Sequence, residues 1–139
     1  GYPCRFQMKR LLFVCALLVV VAGCSAPNNG VTIKVDRTSA SADSMTYRLH
    51  NASDATYPFE KSYIVRRHKD ASWQAVPFTE AFERELAKKV VRPGETEVVE
   101  VPMDAFQEPL RPGKYRITQT LFDEGGEAFH VTVSFPVNS

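Results

Sequence analysis

Between Val31 and Val137 apolar residues keep returning at every second position. Val31, Ile33 and Val35 alternate with Thr32, Lys34 and Asp36; Met45, Tyr47 and Leu49 alternate with Thr46, Arg48 and His50. Near the C-terminus Phe129, Val131, Val133 and Phe135 alternate with His130, Thr132 and Ser134. A period of two turns one side of a strand to a core and the other to water. Polar turns (SASADS, NASD, KDAS, RPGE, EGGE) divide these runs. The same signals predict strands over 62–68, 73–76, 96–101 and 113–123, and a short extended piece over 57–59 that Pro58 confines to an edge. Seven or eight short strands with at most one helix leave no crossovers for a parallel α/β sheet. The pattern therefore predicts an all-β antiparallel β-sandwich.

One segment breaks the alternation. Phe78, Phe82 and Leu86 recur every four residues, and Glu80/Arg84 and Glu85/Lys89 are opposite charges at i,i+4. This predicts a short amphipathic helix capped by Thr79, or a loop with the same anchors, inserted near 79–88 as a lid on one end of the sandwich. Residues 103–108 read as a turn or a single helical turn.

The N-terminal part obeys a different logic. Lys9 and Arg10 precede an unbroken apolar run of twelve residues, Leu11 to Ala22, which ends at Gly23-Cys24. Twelve helical residues rise about 18 Å, too little for the ~30 Å of a hydrocarbon core. The layout is that of a secretory signal peptide over residues 8–23. Residues 1–7 precede Met8 and are read as an upstream remnant. Val21-Ala22-Gly23-Cys24 resembles the lipobox of bacterial lipoproteins, with Val where Leu is usual. That resemblance implies cleavage between Gly23 and Cys24, diacylglycerol on the Cys24 sulfur and an envelope location on the extracytoplasmic face of a membrane. An ordinary cleaved signal and an uncleaved anchor are the alternatives. Ser25 after the cysteine points to an outer membrane where the cell has one. Residues 24–30 then read as a lipid-anchored linker, of which Ser25 to Gly30 spans at most about 20 Å, and 31–137 as the folded domain.

Composition limits the partners. From Cys24 onward there are 14 Lys and Arg against 16 Asp and Glu, a net charge of −2. This argues against nucleic acid, and against membrane binding by charge alone. Of the three cysteines, Cys4 and Cys15 precede the cleavage point and Cys24 takes the lipid, so the domain is expected to fold without a disulfide.

Leu110-Arg111-Pro112-Gly113-Lys114-Tyr115 looks like the tyrosine corner of immunoglobulin-like sandwiches, in which the tyrosine hydroxyl bonds backbone a few residues upstream. Pro112, Gly113 and Tyr115 are its structural residues. Together with the Trp73 hairpin and the RPGET turn, this pattern resembles a bacterial immunoglobulin-like domain family found on small lipoproteins and surface proteins. The resemblance covers most of 31–135 and implies a sandwich and export, with no single activity.

No nucleophile motif is present, neither Gly-x-Ser-x-Gly nor Ser-x-x-Lys. His50, His68 and His130 stand singly on strands, whereas a metal site needs three or four converging ligands. Asn51-Ala52-Ser53 fits a glycosylation sequon but reads as a turn. Trp73 reads as a core or rim aromatic, with a ligand platform as the alternative. Arg66-Arg67-His68-Lys69 reads as a solvated basic tip which, if it makes contacts, would meet an acidic partner or phospholipid headgroups. The expectation is a non-catalytic module with no cofactor beyond the lipid on Cys24, binding another envelope protein. The alternatives are a metal- or small-ligand-binding protein built on the three histidines, and an envelope protease inhibitor using 79–88 as its exposed loop.

Overall fold

The alternating segments pair into two sheets. A computed structural model describes residues 25–84 and 87–139, without the side chains of Lys61 and Ser62. The smaller sheet has the order β1-β3-β7, from β1 (Val31–Val35), β3 (Ser44–Asn51) and β7 (Thr96–Pro102). The larger has six strands in the order β2-β9-β8-β4-β5, with β6 also paired to β4. These are β2 (Thr38–Ser39), β4 (Tyr57–Lys69), β5 (Ser72–Ala75), β6 (Lys88–Val91), β8 (Gly113–Phe122) and β9 (Ala128–Asn138). Every ladder is antiparallel except the two-residue β2–β9 pair.

The buried side chains are those predicted by the alternation. Val31, Ile33, Met45, Tyr47, Leu49 and Val101 of the smaller sheet meet Val65, Ile117, Leu121, Val131 and Phe135 of the larger. One polar pair crosses this core. Tyr47 Oη donates to Gln119 Oε1 at 2.6 Å, and Gln119 Nε2 donates to the carbonyls of Glu60 and Thr120, both at 2.9 Å. The Glu60 carbonyl lies where the β4–β8 register shifts between Phe59 and Tyr63, so Gln119 fills a bulge while joining the sheets. It links β3 to β8, the strand pair that a disulfide joins in antibody domains. Burial pushes the Tyr47 hydroxyl pKa well above its ordinary value.

Three local expectations are corrected. Residues 57–59 and 62–68 belong to one strand, 57–69, and Pro58 near its start pairs with Val90 rather than lying on a free edge. The helix is one turn, α1 (Glu80–Glu83), capped by Thr79, whose hydroxyl accepts from Phe82 N. Lys88 and Lys89 lie in β6, drawn there by pairing of the β-branched Val90-Val91 with Tyr57 and Pro58. The lid is therefore aromatic, with Phe78 and Phe82 against Tyr63 and Phe78 stacked on Phe106 at 4.9 Å. Leu86 lies outside the described residues.

Residues 25–30, expected as a linker, run back along the β1 edge. Ser25 is buried and its hydroxyl accepts from Ile33 N at 2.9 Å. Asn28 and Val31 exchange backbone hydrogen bonds, and Asn28 Nδ2 donates to the His130 carbonyl of β9.

Candidate interaction surface

Period two along β4 brings Ile64, Arg66 and His68 to the outer side of the larger sheet. The registers set His68 opposite Trp73, Arg66 opposite Arg116 and Ile64 opposite Thr118. Trp73 thus stands half-buried on the outside of the sandwich, a rim aromatic and not a core one. It lies on β5, a four-residue edge strand with no buried residue, so no second layer covers it. Its ring centre is 4.9 Å from that of His68, 4.0 Å from Arg116 Cζ and 5.9 Å from Lys114 Nζ.

The turn below this cluster is tight. Asp70 and Ala71 both take positive φ, 52° and 64°, as a two-residue hairpin turn requires. From Ile64 to His68, Ser72 to Ala75 and Lys114 to Thr120 there is no carboxylate. Among the described residues Arg66, Lys69, Lys114 and Arg116 make no ion pair, the three present being Arg48–Asp36, Arg84–Glu80 and Arg92–Glu95. Arg66 and Arg116 are like charges directly opposite, an arrangement that costs stability. A guanidinium resting on an indole is oriented and still offers its N–H edge to a carboxylate.

At the same end, Tyr115 Oη donates to the Arg111 carbonyl at 2.8 Å and accepts from Arg111 N at 3.1 Å. Both bonds reach four residues upstream across Pro112 and Gly113, and Leu110 is buried beneath them. The hydroxyl therefore closes the corner and fixes the Arg111 backbone.

The other sequence candidates separate. His50 lies on β3 in the smaller sheet, with Nδ1 2.9 Å from Thr96 Oγ1; His130 lies on β9, with Nδ1 2.9 Å from Thr120 Oγ1. His68 is alone of the three beside Trp73, so the histidines do not converge. Among the described residues no group of His, Cys, Asp or Glu could hold a metal ion. Asn51 is buried, its amide donating to the carbonyls of Ala55 and Val91 and its oxygen accepting from Ser53. It locks a turn and presents no face for a glycan. Gly23 and Cys24, with the rest of the targeting stretch, lie outside the described residues. Sequence reading named Arg66 but not Lys114 and Arg116 as its neighbours; the signal was their position on the polar side of the alternating run Gly113–Phe122.

Two packed sheets of this order and a tyrosine-pinned corner define an immunoglobulin-like module. The chain belongs to the bacterial Ig-like domain family, whose model matches residues 27–135. Domains of that kind are typically non-enzymatic, serving as structural or binding modules. No curated protein matches the chain. Among solved structures, the Northeast Structural Genomics Consortium target SoR45 aligns at 12% identity and a TM-score of 0.47, covering 82% of this chain and 90% of that one. A Bordetella pertussis protein assigned the name ApaA aligns at 18% identity and a TM-score of 0.48, covering 85% and 96%.

Proposed function

We propose that this chain is a lipid-anchored binding module of the bacterial cell envelope, held through acyl chains on Cys24, that offers the outer face of its larger sheet to an acidic surface on another envelope protein. The observation that carries the binding role is Trp73 set between Arg116, Lys114 and His68, with no carboxylate along 64–68, 72–75 or 114–120. Support for the address is the sequence of residues 8–24, whose two or three acyl chains at ~0.8 kcal/mol per buried CH₂ would hold permanently. A protein fits this face better than lipid. Ser25 leaves the sandwich beside β1, next to β9, whereas Trp73 stands three strands away from β9 across the sheet, about 14 Å. The anchored edge and the cationic cluster are thus well separated across the sheet.

Site-specific photocrosslinking in cells tests the binding role. A crosslinker at Thr118, on the cationic face, should capture a specific envelope protein, and Arg116→Glu should abolish the adduct. A crosslinker at Val98, on the other sheet, should not. The same adduct from both positions, or none from Thr118, would sink the role. The anchor is tested separately: Cys24→Ala should remove fatty-acid labelling and leave uncleaved precursor. Normal processing of that variant would overturn the anchor and leave the binding role standing.

A further inference from the structure

Inward-facing positions of β4 run past the core before the strand ends. After Val65 the next two on that side are Arg67 and Lys69, about 6.8 Å apart along the strand. Residues 108–111 cross in front of them and form, with Val76 and Tyr115, a groove of about 310 Å³. Arg111 is the third cation of its lining and Glu108 its single carboxylate. Among the described residues none of the three cations is ion-paired.

Arg67 carries the sharper observation. Its Nε is buried and has no hydrogen-bond partner among the described residues. A buried donor left unpaired is costly, and more so on a charged group. The floor beneath it is Gly113, where an added Cβ would come 3.7 Å from Nε and 3.8 Å from Nη2. The tyrosine corner sets the opposite wall, since both Tyr115 hydroxyl bonds fix the Arg111 backbone.

We infer that this groove binds a small oxyanion, a carboxylate or phosphate group. Its oxygens accept from the Nη–H groups of Arg67, whose Nε is closed to solvent, and Lys69 and Arg111 complete the charge. The volume lies at the low end of ligand pockets, so the ligand is small or presents only its anionic group. The site faces away from Trp73 and depends neither on the lipid anchor nor on the proposed protein partner.

The test follows the Arg67 Nε–Hε resonance by NMR in the full chain, purified in detergent, during titration with inorganic phosphate, acetate and chloride. The expected result is a saturable shift with phosphate or acetate and none with chloride; the oxyanion that saturates identifies the group. Arg67→Gln, read at the backbone amides of Glu108, Leu110 and Arg111, and Arg111→Gln should each weaken binding by about tenfold or more, while Trp73→Ala should leave it unchanged. Arg111→Gln alters no core strand and keeps the test valid should Arg67→Gln perturb folding. A response equal to that of chloride, no response at all, or binding that survives both arginine variants would overturn the site.

Discussion

The two outer faces of the sandwich treat charge in opposite ways. On the smaller sheet Arg48 forks onto Asp36 at 3.0 and 2.9 Å, Ser44 donates to Glu100, and His50 meets Thr96. The hydrogen bond from Arg48 holds the Asp36 carboxyl below its ordinary pKa. On the larger sheet Arg66, Lys114 and Arg116 gather around Trp73 without an ion pair among the described residues. Apolar exposure does not separate the faces, since Ile64 on one and Val98 on the other are each 47% exposed. One face pairs an arginine with a carboxylate inside the domain, although Lys34 lies opposite that arginine, and the other leaves its arginines without an ion pair among the described residues. An open set of like charges costs stability and is useful where something outside completes it.

The comparison assumes that both faces belong to one cooperative unit, which is its largest exposure to test. Gln119→Leu strands the Tyr47 hydroxyl and the Glu60 carbonyl in the core and should cost about 2–4 kcal/mol in urea unfolding. Amides of both sheets should then unfold together; separate transitions would mean that the faces sit on independent layers. Tyr115→Phe unpairs the Arg111 backbone and should cost about 1–3 kcal/mol by the same measurement. Next comes Ala71, whose left-handed backbone carries a penalty of about 1–2 kcal/mol; Ala71→Gly should stabilise by about 1 kcal/mol, seen as a raised Tm. Removing a cation from each face should have opposite signs. Arg66→Thr relieves a like-charge pair and should stabilise by about 0.2–1 kcal/mol, whereas Arg48→Thr should destabilise, by releasing Asp36. Equal signs would erase the distinction between the faces.

The smallest effect concerns pH. The folded pKa of Asp36 is depressed, so the unfolded chain binds its proton more readily as pH falls. The contribution is present above the ordinary value of 3.8 and is lost as pH drops through the folded value. Because both partners are more than a third exposed, it should be under about 1 kcal/mol. Acid unfolding of Asp36→Asn should lack that component. At the other extreme, raised tyrosine pKa values work in reverse. The fold should lose stability above about pH 10, as unfolded Tyr47 and Tyr63 ionise while the buried ones resist.

Period two made the strands legible, because alternation and burial have the same cause. It could not say which side of a short edge strand is outside. Ser72–Ala75 carries too few apolar residues to vote, so the pattern leaves Trp73 open between core and rim. The four-residue spacing of Phe78 and Phe82 served a one-turn lid as well as a longer helix, and tertiary pairing of Val90-Val91 decided the matter. Gln119 did leave a signal: it is a polar residue on the inward side of a run whose other inward members are Tyr115, Ile117 and Leu121. Its partner across the core, Tyr47, could not be named without the fold. The cationic face joins β4, β5 and β8, and residues 66 and 116 become neighbours only through long-range pairing.

The docked segment 25–30 has a mechanical consequence. A segment tied to the sandwich edge from Ser25 onward has no slack of its own to give. A pull applied at residue 24 would load the Ser25–Ile33 hydrogen bond and the Asn28–Val31 pair at once, along the edge of β1 and into β9. With Cys24 lipidated as proposed, the domain would behave as a rigid bracket rather than a buoy on a line. Its bearing toward the bilayer would be set by the fold, and the angle at which the Trp73 face is presented would be set with it.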